Sequence, residues 1–183
     1  EAALLEMTAE YEIADFLDIG TGTGRMLELF GPRVEHAIGV DTSREMLSFA
    51  RSAIEEAGLR NCQVRLADMY NLPFSSHTQD AILFHQVLHY AENPATAVSE
   101  AARLLKGGGI LAIVDFAPHD LESLRMDHAH RHMGFSETEI WHCCEQAGLV
   151  PGDFRKLEGD PLTVNIWTAA PAAASQSKGA FAS

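Results

Sequence analysis

The sequence predicts an α/β domain built on a mostly parallel sheet that carries helices on both faces. Short apolar segments alternate with segments whose apolar residues recur at helical spacing, and this order repeats four times along the chain. Because parallel strands joined by helices need both faces of the sheet to be covered, the alternation favours a doubly wound arrangement. A fifth apolar segment completes the fourth repeat and two more follow, so the expected sheet has seven strands, at about residues 16–19, 36–40, 63–67, 81–86, 110–116, 150–157 and 162–168.

Three glycines at alternate positions, Gly20, Gly22 and Gly24, follow the first strand, which carries an acid at Asp18. Glycine permits a positive φ and lets a ligand approach the backbone, and the N–H groups of the following helix point at that ligand. A plain tight turn between strand and helix is the alternative. The dinucleotide-binding spacing requires a third Gly or Ala where this chain has Arg25, so the run indicates a different nucleotide-like cofactor.

The second strand ends in an acid, Asp41, which lies 21 positions after Gly20. An acid at that offset can bind the two hydroxyls of a ribose. Helix capping is the alternative role, but Thr42 and Glu45 already match a capping box for the helix that follows. The sequence therefore favours ribose binding by Asp41.

The spacing of Asp18 and the three glycines resembles motif I of the class I S-adenosylmethionine (SAM)-dependent methyltransferases. Asp68 and Met69, after the third strand, resemble the third motif of that family, in which the acid binds the adenine amino group and the apolar residue covers the ring. The resemblance implies a Rossmann-like seven-stranded sheet with an antiparallel last strand, and SAM as the cofactor. The cofactor-binding residues that it implies are Asp18, Gly20, Thr21, Gly22, Gly24, Asp41, Thr42, Met46, Asp68, Met69 and Gln86.

The resemblance extends to one subgroup of this family, the methyltransferase domain that bacteria fuse behind ArsR-type winged-helix regulators. The segments that are similar to this subgroup are residues 86–90, 114–121 and 128–136. This similarity spans about residues 14–168 and implies a DNA-binding module elsewhere in a longer protein. The methyltransferase domain is expected over residues 1–168, truncated at its N-terminus. The tail, residues 169–183, is rich in Ala, Ser and Gly and is expected to be disordered.

His89 is the expected catalytic residue, because it follows the fourth strand beside the expected position of the methyl group. Methyl transfer is an in-line displacement, in which alignment of the acceptor supplies much of the rate. A base is needed only when the acceptor loses a proton. We therefore interpret His89 as a base or as an orienting group, and a buried or capping histidine is the alternative.

Four further histidines, at positions 119, 128, 130 and 132, have three interpretations. They line the acceptor pocket, which we favour, or they bind a metal such as zinc, or they form a solvated segment at the mouth of the site. No strand or helix pattern secures three ligands, so no metal site is predicted. The adjacent cysteines Cys143 and Cys144 fall on an amphipathic helix and are expected in the core.

Composition limits the partners of this domain. Its 13 basic and 26 acidic residues give a net charge of −13, which repels nucleic acid. No apolar run is long enough for a membrane span, no signal peptide is visible and only three cysteines are present, so we expect a cytoplasmic protein with no membrane partner.

Three functional hypotheses follow. The leading one is a SAM-dependent methyltransferase that acts on a small-molecule acceptor. The second is a SAM-binding sensor that modulates an attached winged-helix module. The third, a nicotinamide-dependent oxidoreductase, is disfavoured by Arg25.

Overall fold

The computed structural model describes residues 1–120 and 131–172, and within them it contains seven strands and five α-helices. The strands are β1 (Asp15–Ile19), β2 (His36–Asp41), β3 (Cys62–Leu66), β4 (Gln79–His85), β5 (Leu105–Phe116), β6 (Leu149–Leu157) and β7 (Val164–Pro171). The helices are α1 (Ala2–Met7), α2 (Arg25–Phe30), α3 (Arg44–Glu56), α4 (Pro94–Leu104) and α5 (Glu137–Gln146), with short 3₁₀ helices at Gly31–Arg33 and Leu88–Tyr90. Among these residues, no helix combines the length and the apolar character needed to cross a bilayer.

The seven strands form one sheet in the order β3-β2-β1-β4-β5-β7-β6. Neighbours from β3 to β5 pair in parallel, whereas β7 is inserted antiparallel between β5 and β6. The predicted Rossmann-like α/β fold with a mostly parallel seven-stranded sheet is therefore confirmed. The strand order reverses between β1 and β4, and sheets of this kind bind ligands at such a switch point, beyond the carboxyl ends of the strands.

The core occupies both faces of the sheet, because successive residues of a strand point to opposite sides. Phe16 and Leu17 of β1 belong to different apolar clusters. Helices α1 and α2 cover the cluster that contains Phe16, whereas α4 and α5 cover the cluster that contains Leu17. Cys144 of α5 is buried as predicted, and burial raises the pKa of its thiol to about 12, which keeps it protonated and unreactive.

Helix caps agree with the sequence pattern at two of three sites. Asn93 precedes Pro94, and Ser136 precedes Glu139 by three residues, so the sequence predicts a helix cap at each. Both caps are confirmed, and Ser136 forms a reciprocal capping box. The predicted cap at Thr42 is wrong by one residue. The Ser43 hydroxyl accepts the Met46 N–H at 3.2 Å, so α3 begins at Arg44.

β5 and β7 are each at least three residues longer than expected at one end. β5 begins at Leu105 instead of Ile110, because Leu105 already pairs with Gln79 of β4. β7 continues past residue 168 to Pro171, because Ala169 pairs with β5 on one side and with β6 on the other. β7 therefore extends three residues beyond residue 168. The rest of the expected tail, residues 173–183, lies outside the described residues.

Candidate active site

A cavity of about 640 Å³ opens at the carboxyl ends of β1, β2 and β4, where the strand order reverses. Its volume lies in the range typical of small-molecule sites. The residues that line this cavity are Asp18, Gly20, Thr21, Gly22, Thr23, Arg25, Met26, Asp41, Thr42, Met46, Met69, His85, Gln86, Val87 and Tyr90. Most of the residues assigned to cofactor binding by sequence therefore share one cavity.

The glycine turn forms one wall of this cavity. Gly20, Gly22 and Gly24 all have positive φ, at 76°, 53° and 86°. The N–H groups of Gly20 and Thr21 both donate to the Val40 carbonyl, at 2.8 and 2.9 Å, which ties the turn to β2. A Cβ on Gly20 would overlap the Val87 side chain, whereas a Cβ on Gly22 would meet no atom within 4 Å. The turn thus leaves open space at Gly22 that a ligand can fill.

Gly24 does not line the cavity, and its structural role differs from that of Gly20 and Gly22. It caps α2 in the left-handed conformation. A Cβ on Gly24 would lie 3.1 Å from the Cβ of Ala50 in α3. This glycine allows α2 and α3 to approach each other, and it supports the turn from behind.

Asp41 supports the turn from the end of β2. One carboxylate oxygen accepts the Gly22 N–H at 3.0 Å and the other accepts the Ser43 N–H at 2.8 Å. The carboxylate therefore contributes to the start of α3, which was the alternative role considered from sequence, and it also lines the cavity. A ribose bound here would meet a carboxylate already oriented by two backbone N–H groups.

Asp18 is the most unusual charged group of the cavity. It is only 1% exposed, and no described group completes a hydrogen bond to either of its carboxylate oxygens. Burial, with a smaller contribution from the Asp41 carboxylate, raises the pKa of Asp18 to about 7, and the nearby Thr21 hydroxyl offsets part of the rise without completing a hydrogen bond. A buried acid in this state lacks a cationic or hydrogen-bonding partner.

The remaining predicted cofactor residues occupy different positions around the cavity. Thr42, Met46, Met69 and Gln86 line it, and Gln86 has a positive φ of 53° at the end of β4. Asp68 is exposed and does not line it. Its carboxylate accepts the Tyr70 N–H at 3.0 Å within its own loop.

His89 forms a buried pair with Asp115, a residue that the sequence analysis missed. The His89 Nδ1 lies 2.7 Å from Asp115 Oδ1, and both side chains are almost completely buried. The same Asp115 oxygen accepts the Phe116 N–H at 2.8 Å. His89 does not line the 640 Å³ cavity, but the adjacent Tyr90 does, and the centroids of the two rings are 4.1 Å apart. The sequence signal for Asp115 was an acid inside an otherwise apolar strand.

His85 is a second site residue that the sequence analysis missed. It is the last residue of β4 and lines the cavity beside Gln86. The only sequence signal for His85 was its place as a polar residue at the carboxyl end of a strand. The sequence pattern favoured His89, which follows the same strand.

The histidines expected to line an acceptor pocket are only partly described. The ring Nε2 of His132 is hydrogen-bonded to the Ala91 carbonyl at 3.0 Å. The backbone N–H of His119 donates to the Met133 carbonyl, also at 3.0 Å. Neither lines the 640 Å³ cavity. His128 and His130 lie outside the described residues. In the described part of the chain, no three His, Cys, Asp or Glu side chains are grouped as metal ligands.

Comparison with known proteins identifies the class to which this cavity belongs. The model of a family described as "methyltransferase domain" matches residues 17–113, more than half of the chain. The chain is 36% identical over 116 residues to the uncharacterized methyltransferase YcgJ of Bacillus subtilis, covering 63% of this chain and 45% of that protein. It is 36% identical over 105 residues to the phosphatidylethanolamine N-methyltransferase of Cereibacter sphaeroides, covering 57% of this chain and 51% of that protein.

Solved structures agree on the fold. The crystal structure of Bacillus subtilis YcgJ superimposes with a TM-score of 0.80 at 23% identity, covering 94% of this chain and 98% of that one. A geranyl diphosphate methyltransferase in complex with SAM superimposes with a TM-score of 0.78 at 17% identity, covering 94% and 86%. The chain spans about half the length of the curated relatives that it matches.

The chain belongs to the methyltransferase domain family, within the class I SAM-dependent methyltransferases. The predictions of this enzyme class and of SAM as its cofactor are thereby confirmed. The family therefore favours a methyltransferase over the hypothesis of a nicotinamide-dependent oxidoreductase.

Proposed function

We propose that this domain binds SAM in the 640 Å³ cavity and transfers its methyl group to a small-molecule acceptor. The observation that supports this most strongly is the buried Asp18 carboxylate, which has no described hydrogen-bond partner and lines a cavity walled by glycines. Bound SAM supplies a positively charged sulfonium and the electrophilic methyl group attached to it. A buried acid is stabilised by a cation that enters the same cavity.

The other residues of the cavity fit the remaining parts of the cofactor. Asp41 provides a carboxylate for the ribose hydroxyls. Met46 and Met69 provide polarizable apolar surfaces for the adenine ring. The adjacent Asp68 provides an acceptor for the adenine amino group. Gln86 contributes its backbone at the carboxyl end of β4, near the methionine part of SAM.

Isothermal titration with S-adenosylhomocysteine and SAM tests this proposal. We expect both to bind with a 1:1 stoichiometry and to protect the protein against thermal unfolding. If neither ligand binds, the proposal is refuted. Transfer of radioactive methyl from SAM to a small-molecule fraction of a cell extract then distinguishes an enzyme from a sensor, because a sensor binds SAM without consuming it.

The two cavity glycines provide a matched pair of variants. Gly20→Ala places a Cβ against Val87 at a positive φ, and we expect a loss of about 2–4 kcal/mol of stability. Gly22→Ala enters open space, so we expect a loss of only about 1 kcal/mol of stability. S-adenosylhomocysteine should nevertheless bind Gly22→Ala at least about 10-fold more weakly, since a methyl group occupies part of its space. Urea unfolding and calorimetry measure the two effects, and equal losses of stability would contradict this account.

We propose that His89 shapes the acceptor side of the site and that Asp115 holds it in place. The 2.7 Å contact fixes the His89 ring, and that ring packs against Tyr90 at the wall of the cavity. His89→Asn keeps a donor that can reach Asp115 but removes the ring. We expect methyl transfer to fall about 10- to 100-fold in His89→Asn, while S-adenosylhomocysteine affinity stays within about 3-fold.

Radiolabel transfer and calorimetry on the same preparations check this expectation. His36→Asn is the matched control, because His36 is an exposed histidine at the start of β2. Undiminished transfer by His89→Asn would show that this histidine is purely structural.

We further propose that the domain belongs to a longer cytoplasmic protein with a winged-helix DNA-binding module. The support for this is the similarity of residues 86–90, 114–121 and 128–136 to domains fused behind ArsR-type regulators. The net charge of −13 opposes DNA binding by this domain, so DNA affinity would reside in that module. Sequencing of the surrounding gene tests the fusion directly, and an adjoining segment without a winged-helix pattern would contradict it.

A further inference from the structure

We propose that a second cavity, which shares His85 and Gln86 with the cofactor cavity, holds the methyl acceptor, and that His85 is the base that takes the acceptor's proton. This second cavity, here called the acceptor cavity, has a volume of about 300 Å³. The inference rests on the proposed function. The residues that line the acceptor cavity are Glu1, Leu4, His85, Gln86, Val114, Leu157, Glu158, Gly159, Leu162, Val164 and Ile166.

The position of the acceptor cavity supports this assignment. His85 ends β4 and Gln86 follows it directly, and these two residues line both cavities. The acceptor cavity continues from them across the ends of β5 and β7, where Val114 and Val164 lie. A molecule there would face the methionine end of the cofactor across the His85–Gln86 boundary, whereas His119 and His132 line neither cavity.

The lining of the acceptor cavity indicates the class of acceptor. Most of its side chains are aliphatic, and no lysine or arginine is among the described residues that line it. An anionic acceptor would therefore lose its hydration without gaining a cationic partner. The volume is at the lower end of small-molecule sites. These properties fit a compact, mostly apolar molecule with one uncharged O–H or N–H nucleophile.

His85 is suited to act as the base for such a nucleophile. It is the single imidazole among the described residues that line the two cavities. Burial lowers the pKa of His85, and the Asp115 and Glu1 carboxylates oppose this change. The ring is therefore uncharged near neutral pH and can accept a proton.

The proposed step is a balanced displacement. As the acceptor's oxygen or nitrogen forms a bond to the methyl carbon, the electron pair of the carbon–sulfur bond stays on sulfur. The acceptor's proton passes to the His85 ring, which then releases it to solvent. No oxidant or reductant is required.

Saturation-transfer NMR with 4-ethylphenol as the probe tests the acceptor cavity in the presence of S-adenosylhomocysteine. We expect signal with the unmodified chain and a signal at least about 5-fold weaker with Leu162→Trp, which fills the cavity. Val150→Trp, on the exposed part of β6, is the matched control and should bind normally. The anion 4-ethylbenzoate should give at least about 10-fold weaker signal than the phenol.

The outcomes separate the inference from the function on which it rests. If S-adenosylhomocysteine fails to bind, the proposed function fails. If it binds but the phenol signal is absent, is unchanged in Leu162→Trp or is matched by the benzoate, only the acceptor cavity is refuted.

Radiolabel transfer to 4-ethylphenol tests the role of His85. His85→Gln should lower kcat at least about 50-fold while S-adenosylhomocysteine affinity changes less than about 3-fold. The rate with the unmodified chain should fall as the pH drops and the His85 ring becomes protonated, and the variant should lack this dependence. Equal rates for the two proteins, or no transfer by the unmodified chain, would overturn the assignment of His85 as a base for this class of acceptor.

Discussion

Replacing Asp18 with asparagine should stabilise the free protein by up to about 4 kcal/mol at pH 8 and weaken its binding of SAM. The pKa of Asp18 is about 7 in the fold against 3.8 for the free side chain, and each pKa unit corresponds to about 1.36 kcal/mol. The folded protein therefore holds a proton that the unfolded chain releases between these two values. Stability is lost as the pH rises from about 4 to about 7 and is constant above that range. Asparagine cannot ionise and avoids this loss.

Urea unfolding of the two proteins at pH 4.5 and pH 8 measures the effect. The difference in the free energy of unfolding should be small at pH 4.5 and largest at pH 8. Asp153→Asn, on the exposed part of β6, is the control and should show no such pattern. A stability difference between wild type and Asp18→Asn that does not change with pH would show that Asp18 is not protonated in the fold.

The same substitution tests the role of Asp18 in binding. The ionised carboxylate attracts the sulfonium, so SAM should bind more weakly to Asp18→Asn at pH 8, and the loss for uncharged S-adenosylhomocysteine should be smaller. In the unmodified protein, SAM affinity should fall as the pH drops below about 7, because the carboxyl becomes neutral. A group that lowers stability while promoting binding is typical of functional sites.

Asp41→Asn should weaken S-adenosylhomocysteine binding about 100-fold. The carboxylate accepts backbone N–H groups from both Gly22 and Ser43, so its removal disturbs the glycine turn and the start of α3 together. Each hydrogen bond to a charged group contributes about 1.5–3 kcal/mol, and the proposed bonds to ribose hydroxyls are lost as well. Calorimetry with Asp153→Asn as the control measures the change, and an affinity within about 3-fold of wild type would exclude Asp41 from the binding site.

Local patterns predicted much of the fold and of the cofactor cavity. The turn at Gly20–Gly24 depends on residues that are adjacent in sequence, and a positive φ at alternate positions leaves a clear signature. The cap at Ser136 likewise depends on residues within one turn of helix. Asp41 was identified because the spacing between two strand ends is nearly constant in this kind of sheet.

Features that depend on distant residues could not be predicted in this way. The cap at Ser43 instead of Thr42 is a local exception, because it follows from the Asp41 carboxylate two residues earlier, which accepts the Ser43 N–H. The pair of His89 and Asp115 joins residues that are 26 positions apart, so neither residue alone indicates it. The sharing of His85 by two cavities depends on how β7 is inserted beside β5, which no local pattern encodes.

The most direct test of the central claim is an NMR titration of the chain, selectively labelled with ¹⁵N-glycine, with S-adenosylhomocysteine. The 14 glycines report on the whole domain, and Gly20 and Gly22 line the proposed cavity. At saturation, we expect large amide shifts for Gly20 and Gly22, a smaller shift for Gly24, and no change at Gly58, Gly108 or Gly148. Unchanged resonances for Gly20 and Gly22 in the presence of bound ligand would contradict the account, because the cofactor would then occupy another part of the molecule.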